Sequence, residues 1–90
     1  MRADKDQITR LLKTSRGQID GVLKMIDQDK YCVDIVNQIM ACDAVLKKAV
    51  KEILRAHIGG CISEAFTEGN ESEREKKIDE LIAVFDKMTK

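Results

Sequence analysis

KYCVDIVNQIMACDAVLKKAVKEILRAHIGGCISEAFT, residues 30–67, is the stretch that decides the fold of this chain. From Val33 to Phe66 its apolar residues recur at three- and four-residue intervals and merge into one wide stripe, the pattern of a long helix with a covered face. A helix of that length in a chain of 90 residues carries more apolar surface than the remainder can cover, so much of the stripe must meet another chain. Gly59-Gly60 is the weak point, since each Gly costs roughly 1 kcal/mol relative to Ala in a helix interior. Two readings stand for the pair: close approach of a neighbouring helix, or local give.

Working outward, Ile8, Leu11, Leu12, Ile19, Val22, Leu23 and Ile26 place a first helix over residues 5–27, with Asp4 as its N-cap. Gly17 and Gly21 weaken this helix without ending it. Asp27-Gln28-Asp29-Lys30 reads as a polar connector in which Asp29 caps the second helix and leaves Cys32 in its first turn. On the other side Gly69-Asn70 ends the second helix. Ser72 and Glu75 resemble a capping box for a third helix over residues 73–89, whose apolar residues include Ile78, Leu81, Ile82, Phe85 and Met88. The expected architecture is all-α: a three-helix protomer with a long second helix, in one domain spanning residues 1–90.

Composition agrees. Apolar residues make up 43% and charged residues 36%, with no Pro and no Trp, a mixture that suits helices. No apolar run is long enough to span a membrane, and Met1-Arg2-Ala3-Asp4-Lys5-Asp6 does not read as a secretory signal, so no membrane partner is expected and the expected compartment is the cytosol. Three cysteines in a reducing compartment are ligands, sensors or packed thiols sooner than disulfides. The formal net charge of zero hides an asymmetry: eleven basic groups face eight acidic ones over residues 1–62, and five face eight over residues 63–90. A basic front of this kind permits nucleic-acid binding.

Cys32, His57 and Cys61 form the candidate ligand set. Two thiolates and an imidazole are soft donors that suit Cu(I) or Zn(II), although Zn(II) ordinarily asks for a fourth donor. His57 and Cys61 stand four apart and share a helix face. Cys32 lies roughly 38–44 Å from them along a continuous helix, so a site using all three needs a second subunit lying antiparallel. The competing reading makes His57 an ordinary helix residue and the thiols small hydrophobes. Cys42, among Ile39, Val45 and Leu46, reads as a packed core thiol.

Lys47, Lys51 and Arg55 repeat at four-residue spacing beside Lys48, and Arg10, Lys13 and Arg16 line the first helix. An oligomer would display several copies of both sets and could follow a DNA backbone; the plain alternative is a solvated face. No helix-turn-helix recognition element stands out. No catalytic constellation appears either: His57 and Cys61 could pair, but three helices offer no substrate pocket or oxyanion site, so no enzyme is expected.

The segments Ser15-Arg16-Gly17-Gln18-Ile19-Asp20-Gly21, Tyr31-Cys32-Val33-Asp34, Gln38-Ile39, Ala56-His57-Ile58 with Cys61, and Ile78-Asp79-Glu80-Leu81 occur in an order and spacing that resemble the copper-sensitive operon repressor family over nearly the whole chain. The resemblance implies an antiparallel helical-bundle homodimer, assembled as a dimer of dimers into a homotetramer, that represses transcription on operator DNA until an inducer releases it. It implies Cu(I) held by Cys32 of one protomer with His57 and Cys61 of the other, with Tyr31 and Glu80 in the outer shell around the imidazole. It places Arg16 and Gln18, with the basic stripe, where the family contacts DNA. Nickel and cobalt sensors of this kind use additional His, and formaldehyde sensors an N-terminal Pro; neither is found here. Persulfide sensors keep two Cys and lack the His, which leaves a sulfane-sulfur response through Cys32 and Cys61 as the alternative that His57 argues against. Cys42 departs from the copper-sensing pattern.

Overall fold

A computed structural model describes residues 1–88, with the side chains of Cys61, Ile62, Ala65, Phe66 and Glu68 outside the described set. The chain order is α1 (Lys5–Asp27), α2 (Cys32–His57), a π turn (Ile58–Ile62), α3 (Ser63–Glu68) and α4 (Glu71–Met88), with no strand among the described residues. The long second helix of the sequence is present as α2, the π turn and α3 in succession. Backbone angles stay helical through both junctions: Ile58 has φ −62° and ψ −45°, and Ser63 has φ −55° and ψ −44°. Gly59 and Gly60 fall inside the π turn, where the hydrogen-bond ladder loosens without the rod ending.

The helix ends divide into those that local chemistry decides and those that it does not. Asp4 caps α1 as expected, its Oδ1 accepting from the amides of Asp6 at 3.0 Å and Gln7 at 3.3 Å. Asp29 does not cap α2. It lies in the left-handed region at φ 51° and terminates α1. The Asp29 amide donates to the Ile26 carbonyl at 3.1 Å and the Lys30 amide to the Met25 carbonyl at 2.9 Å, the paired bonds that close a helix over a left-handed residue. Tyr31 occupies the cap position of α2 and offers no side-chain hydrogen bond, while Cys32 opens the helix. At α4 the capping box is likewise displaced: Asn70 Oδ1 accepts from the Glu73 amide at 2.9 Å, so α4 begins two residues before the expected start. Asn70 serves better than Ser72 because it follows directly on Gly69, where α3 has stopped. The expected end near residue 89 lies outside the described residues.

α1 and α2 form an antiparallel hairpin, while α4 turns away after Gly69 and touches the π turn and α3. Ile8, Ser15 and Val22 stand seven apart on α1 and are buried, as are Cys42 and Ala49, also seven apart, on α2. Ser15, Cys42 and Ala49 are small, so the two backbones approach closely. The molecule measures 57 × 29 × 13 Å. Its thinnest dimension is about one helix diameter, so the protomer is a single layer. A helix layer normally closes its core against a second layer; here Val36, Ile39, Met40, Leu23, Ile82 and Phe85 are each about half exposed or more.

Candidate metal centre

The soft donors sit at the two ends of α2. Cys32 is its first residue, exposed, with a free thiol. It faces the positive end of the helix, a setting that suits an anionic ligand. His57 is the last residue of α2 and half-buried. Cys61 follows in the backbone of the π turn, and its side chain lies outside the described residues. Twenty-five residues of unbroken helix separate Cys32 from His57, a rise of about 38 Å. Among the described residues no three His, Cys, Asp or Glu side chains converge as a metal site. The protomer therefore keeps its donors apart, as the spacing requires.

The π turn has a specific role next to His57. It takes a wider path than the α-helix and keeps His57 and Cys61 within one turn of each other. An added Cβ on Gly60 would come within 2.9 Å of Arg2 Cδ, so within the chain Gly60 gives room to the N-terminal arm. The Arg2 guanidinium crosses this point to pair with the Glu64 carboxylate on α3. An added Cβ on Gly59 would meet nothing within 4 Å, so that position is open. Neither Arg2 nor Glu64 stands out in the sequence, because a contact spanning 62 residues leaves no local pattern.

Tyr31 is exposed beside Cys32. Glu80 lies on α4, the helix that flanks the π turn, and its carboxylate is 3.7 Å from Lys77 Nζ, an exposed pair one turn apart. Arg10, Lys13 and Arg16 are exposed along α1. Gln18 differs from them: it is half-buried, with Oε1 turned away from solvent and without a protein hydrogen-bond partner. Lys47 pairs with Asp43 at 2.9 Å. Lys51 and Arg55 rim a cleft of about 320 Å³ floored by Leu54, Ile58, Phe85 and Met88. Cys42 is buried, as its neighbours imply, and its thiol donates to the Ser15 carbonyl at 3.6 Å.

With donors, hairpin and basic edges placed, the chain can be set beside known proteins. Residues 4–87 match the family of metal-sensitive transcriptional repressors. This chain belongs to that family. It is 41% identical over 87 residues to the copper-sensing transcriptional repressor CsoR of Bacillus subtilis, an alignment covering 97% of this chain and 83% of the relative. Its fold matches the crystal structure of the copper-sensing repressor CsoR with Cu(I) from Geobacillus thermodenitrificans at a TM-score of 0.86, with 32% identity over 100% of this chain and 94% of that one. The nickel-responsive transcriptional regulator InrS matches at a TM-score of 0.78 and 26% identity, covering 97% of this chain and 94% of that one. The metal-sensitive repressors are transcriptional regulators, not enzymes. No helix among the described residues is long and apolar enough to cross a membrane.

Proposed function

We propose that this chain is a Cu(I)-responsive transcriptional repressor: one metal-sensing domain over residues 1–90 that pairs antiparallel with a second copy, assembles as a dimer of dimers, and binds operator DNA in the cytosol. One observation carries the reading. The protomer is a single layer with soft donors at opposite ends of one unbroken helix. A second copy laid antiparallel on the open face supplies the missing layer and, by the same movement, brings Cys32 of one protomer to His57 and Cys61 of its partner.

The donor chemistry fits Cu(I). Two thiolates and one imidazole satisfy a three-coordinate soft ion, and His57 is the chain's single His, fewer than a nickel site of nitrogen donors would use. The relatives named as copper sensors support the same metal. When bound, Cu(I) would join two subunits at each site. Tyr31 and Glu80 would support the imidazole from outside once subunits pair. Arg10, Lys13, Arg16, Lys51 and Arg55 would hold phosphates, and Lys47 less so because its charge is shared with Asp43, with Gln18 at the edge of that face. Repression is relieved because the ion favours the assembly that grips DNA poorly, and linkage makes the effect reciprocal: operator DNA weakens Cu(I) binding by the same factor.

Anaerobic Cu(I) titration against a strong competitor, repeated on the operator complex, tests this. His57→Ala should weaken binding and abolish release from DNA; unchanged affinity and release would sink the proposal. The exposed free thiol of Cys32 favours a second reading, a sulfane-sulfur sensor acting through Cys32 and Cys61. That sensor would show a di- or trisulfide between subunits by mass spectrometry after persulfide treatment, with His57 dispensable.

A further inference from the structure

On α2, Val36, Ile39, Asp43, Leu46, Val50 and Ile53 alternate spacings of three and four residues, the seam of a helix that pairs with another helix. This seam lies beside the stripe that packs on α1, and it is open: Val36 is 52% exposed, Ile39 51%, Leu46 38% and Val50 39%. Asp43 is its one charged member. It sits in a groove of about 310 Å³ between α1 and α2, otherwise walled by apolar side chains and Cys42. A carboxylate in the middle of an apolar seam costs stability on pairing unless something answers it.

The antiparallel pairing says what answers it. Bringing Cys32 to His57 and Cys61 of the partner makes facing residue numbers add to about 89–93, so Asp43 faces residues 46–50 of the other subunit. Lys47 lies in that stretch, and within its own chain it already reaches Asp43 at 2.9 Å on the same side of the helix. Two-fold symmetry then produces the contact twice across the dimer centre. The competing arrangements are penalised. A parallel pair sets Asp43 against Asp43, two like charges in an apolar groove. An antiparallel pair slipped by one heptad sets Asp43 near Ile39 or Ile53 and leaves it only the Lys47 of its own helix.

We infer that Asp43 and Lys47 are the register device of the dimer: they pair between subunits, select the antiparallel orientation, and so decide that Cys32 meets His57 and Cys61. The inference rests on the antiparallel pairing proposed above, but not on the identity of the inducer. Its role is specificity more than affinity, as for a lone polar residue in a coiled-coil seam.

The test uses full-length metal-free protein and native mass spectrometry. Asp43→Lys and Lys47→Asp each create like-charge contacts in their own homodimers and within their own helix. Mixed, they restore opposite charges only between subunits. The mixture should therefore raise the ratio of heterodimer to summed homodimers about tenfold above the statistical value, whether or not each variant assembles alone. A statistical mixture, or no assembly on mixing, would overturn the inference. A second variant reads orientation. In Asp43→Leu, bismaleimide cross-linking should gain Cys32–Cys32 links, where the parent gives Cys32–Cys61 links between subunits. An unchanged Cys32–Cys61 pattern would count against Asp43 as the selector. Cu(I) titration of the parent is read separately, so a failed copper assignment and a failed register device give different results.

Discussion

The thiol of Cys42 on α2 donates to the main-chain carbonyl of Ser15 on α1, 3.6 Å away, at the most deeply buried point of the hairpin. Ser15 is 2% exposed and Cys42 6%. Both are small, and their meeting lets two helices that carry little buried apolar volume pack closely. The thiol acts here as packing with a weak polar tie.

Cys42→Ala should therefore cost about 1 kcal/mol, and Cys42→Leu about 1–3 kcal/mol through overpacking, by urea denaturation. Native-state maleimide labelling should modify Cys32 and spare Cys42. Rapid labelling of Cys42 would show that the hairpin opens where it is expected to be closed.

Asp29 holds φ 51° where α1 stops. Gly is at ease in that region, and a β-branched residue is not. Asp29→Gly should leave stability within about 0.5 kcal/mol of the parent or raise it, and Asp29→Val should lower it by about 1–2 kcal/mol, read as a change in thermal midpoint. Equal midpoints for the two variants would refute a left-handed terminator.

Gly59 lies in the π turn with open space around it. Ala there removes backbone freedom from the unfolded chain without meeting a neighbour. Gly59→Ala should stabilise by about 0.4–1 kcal/mol in urea denaturation. At Gly60 the same change must push the Arg2 side chain aside, a flexible obstacle, so the gain should be smaller.

Subunit mixing separates a shared metal site from one within a chain. Cys32→Ser and Cys61→Ser homodimers should each lack a complete Cu(I) site. Their heterodimer regains one, because the intact Cys32 of one chain meets the intact His57 and Cys61 of the other. Tight Cu(I) binding that returns on mixing, at about half the parent's capacity per heterodimer, is the expected outcome; none on mixing would place the site elsewhere.

On the DNA side, Lys51→Ala and Arg55→Ala should each lower the slope of log affinity against log salt by about one and weaken all sequences alike. Lys47→Ala should change the slope less, since its charge is already paired with Asp43. Equal slopes for all three would remove this stripe from the phosphate contacts.

The helices themselves are legible from residue order. Periodicity of three and four is local, and it places α1 from Lys5 to Asp27 and the long second rod. The separation of Cys32 from His57 is legible too, because one helix runs between them. The roles of Asp29 and Asn70 are not, because a short polar side chain can end one helix or start the next, and only the path of the flanking chain chooses. The π turn leaves no sequence mark beyond two glycines.

What residue order determined alone is the set of helices, their apolar faces and the distance that keeps Cys32 from His57, since each follows from the fixed rise and twist of a helix. Tertiary structure decided which apolar face the hairpin consumed and which it left open. Ser15, Cys42 and Ala49 let α1 take one stripe of α2, and the adjoining stripe with Asp43 was left outward in a layer one helix thick. Two neighbouring stripes on one rod look alike in sequence; side-chain volume across the hairpin broke the tie.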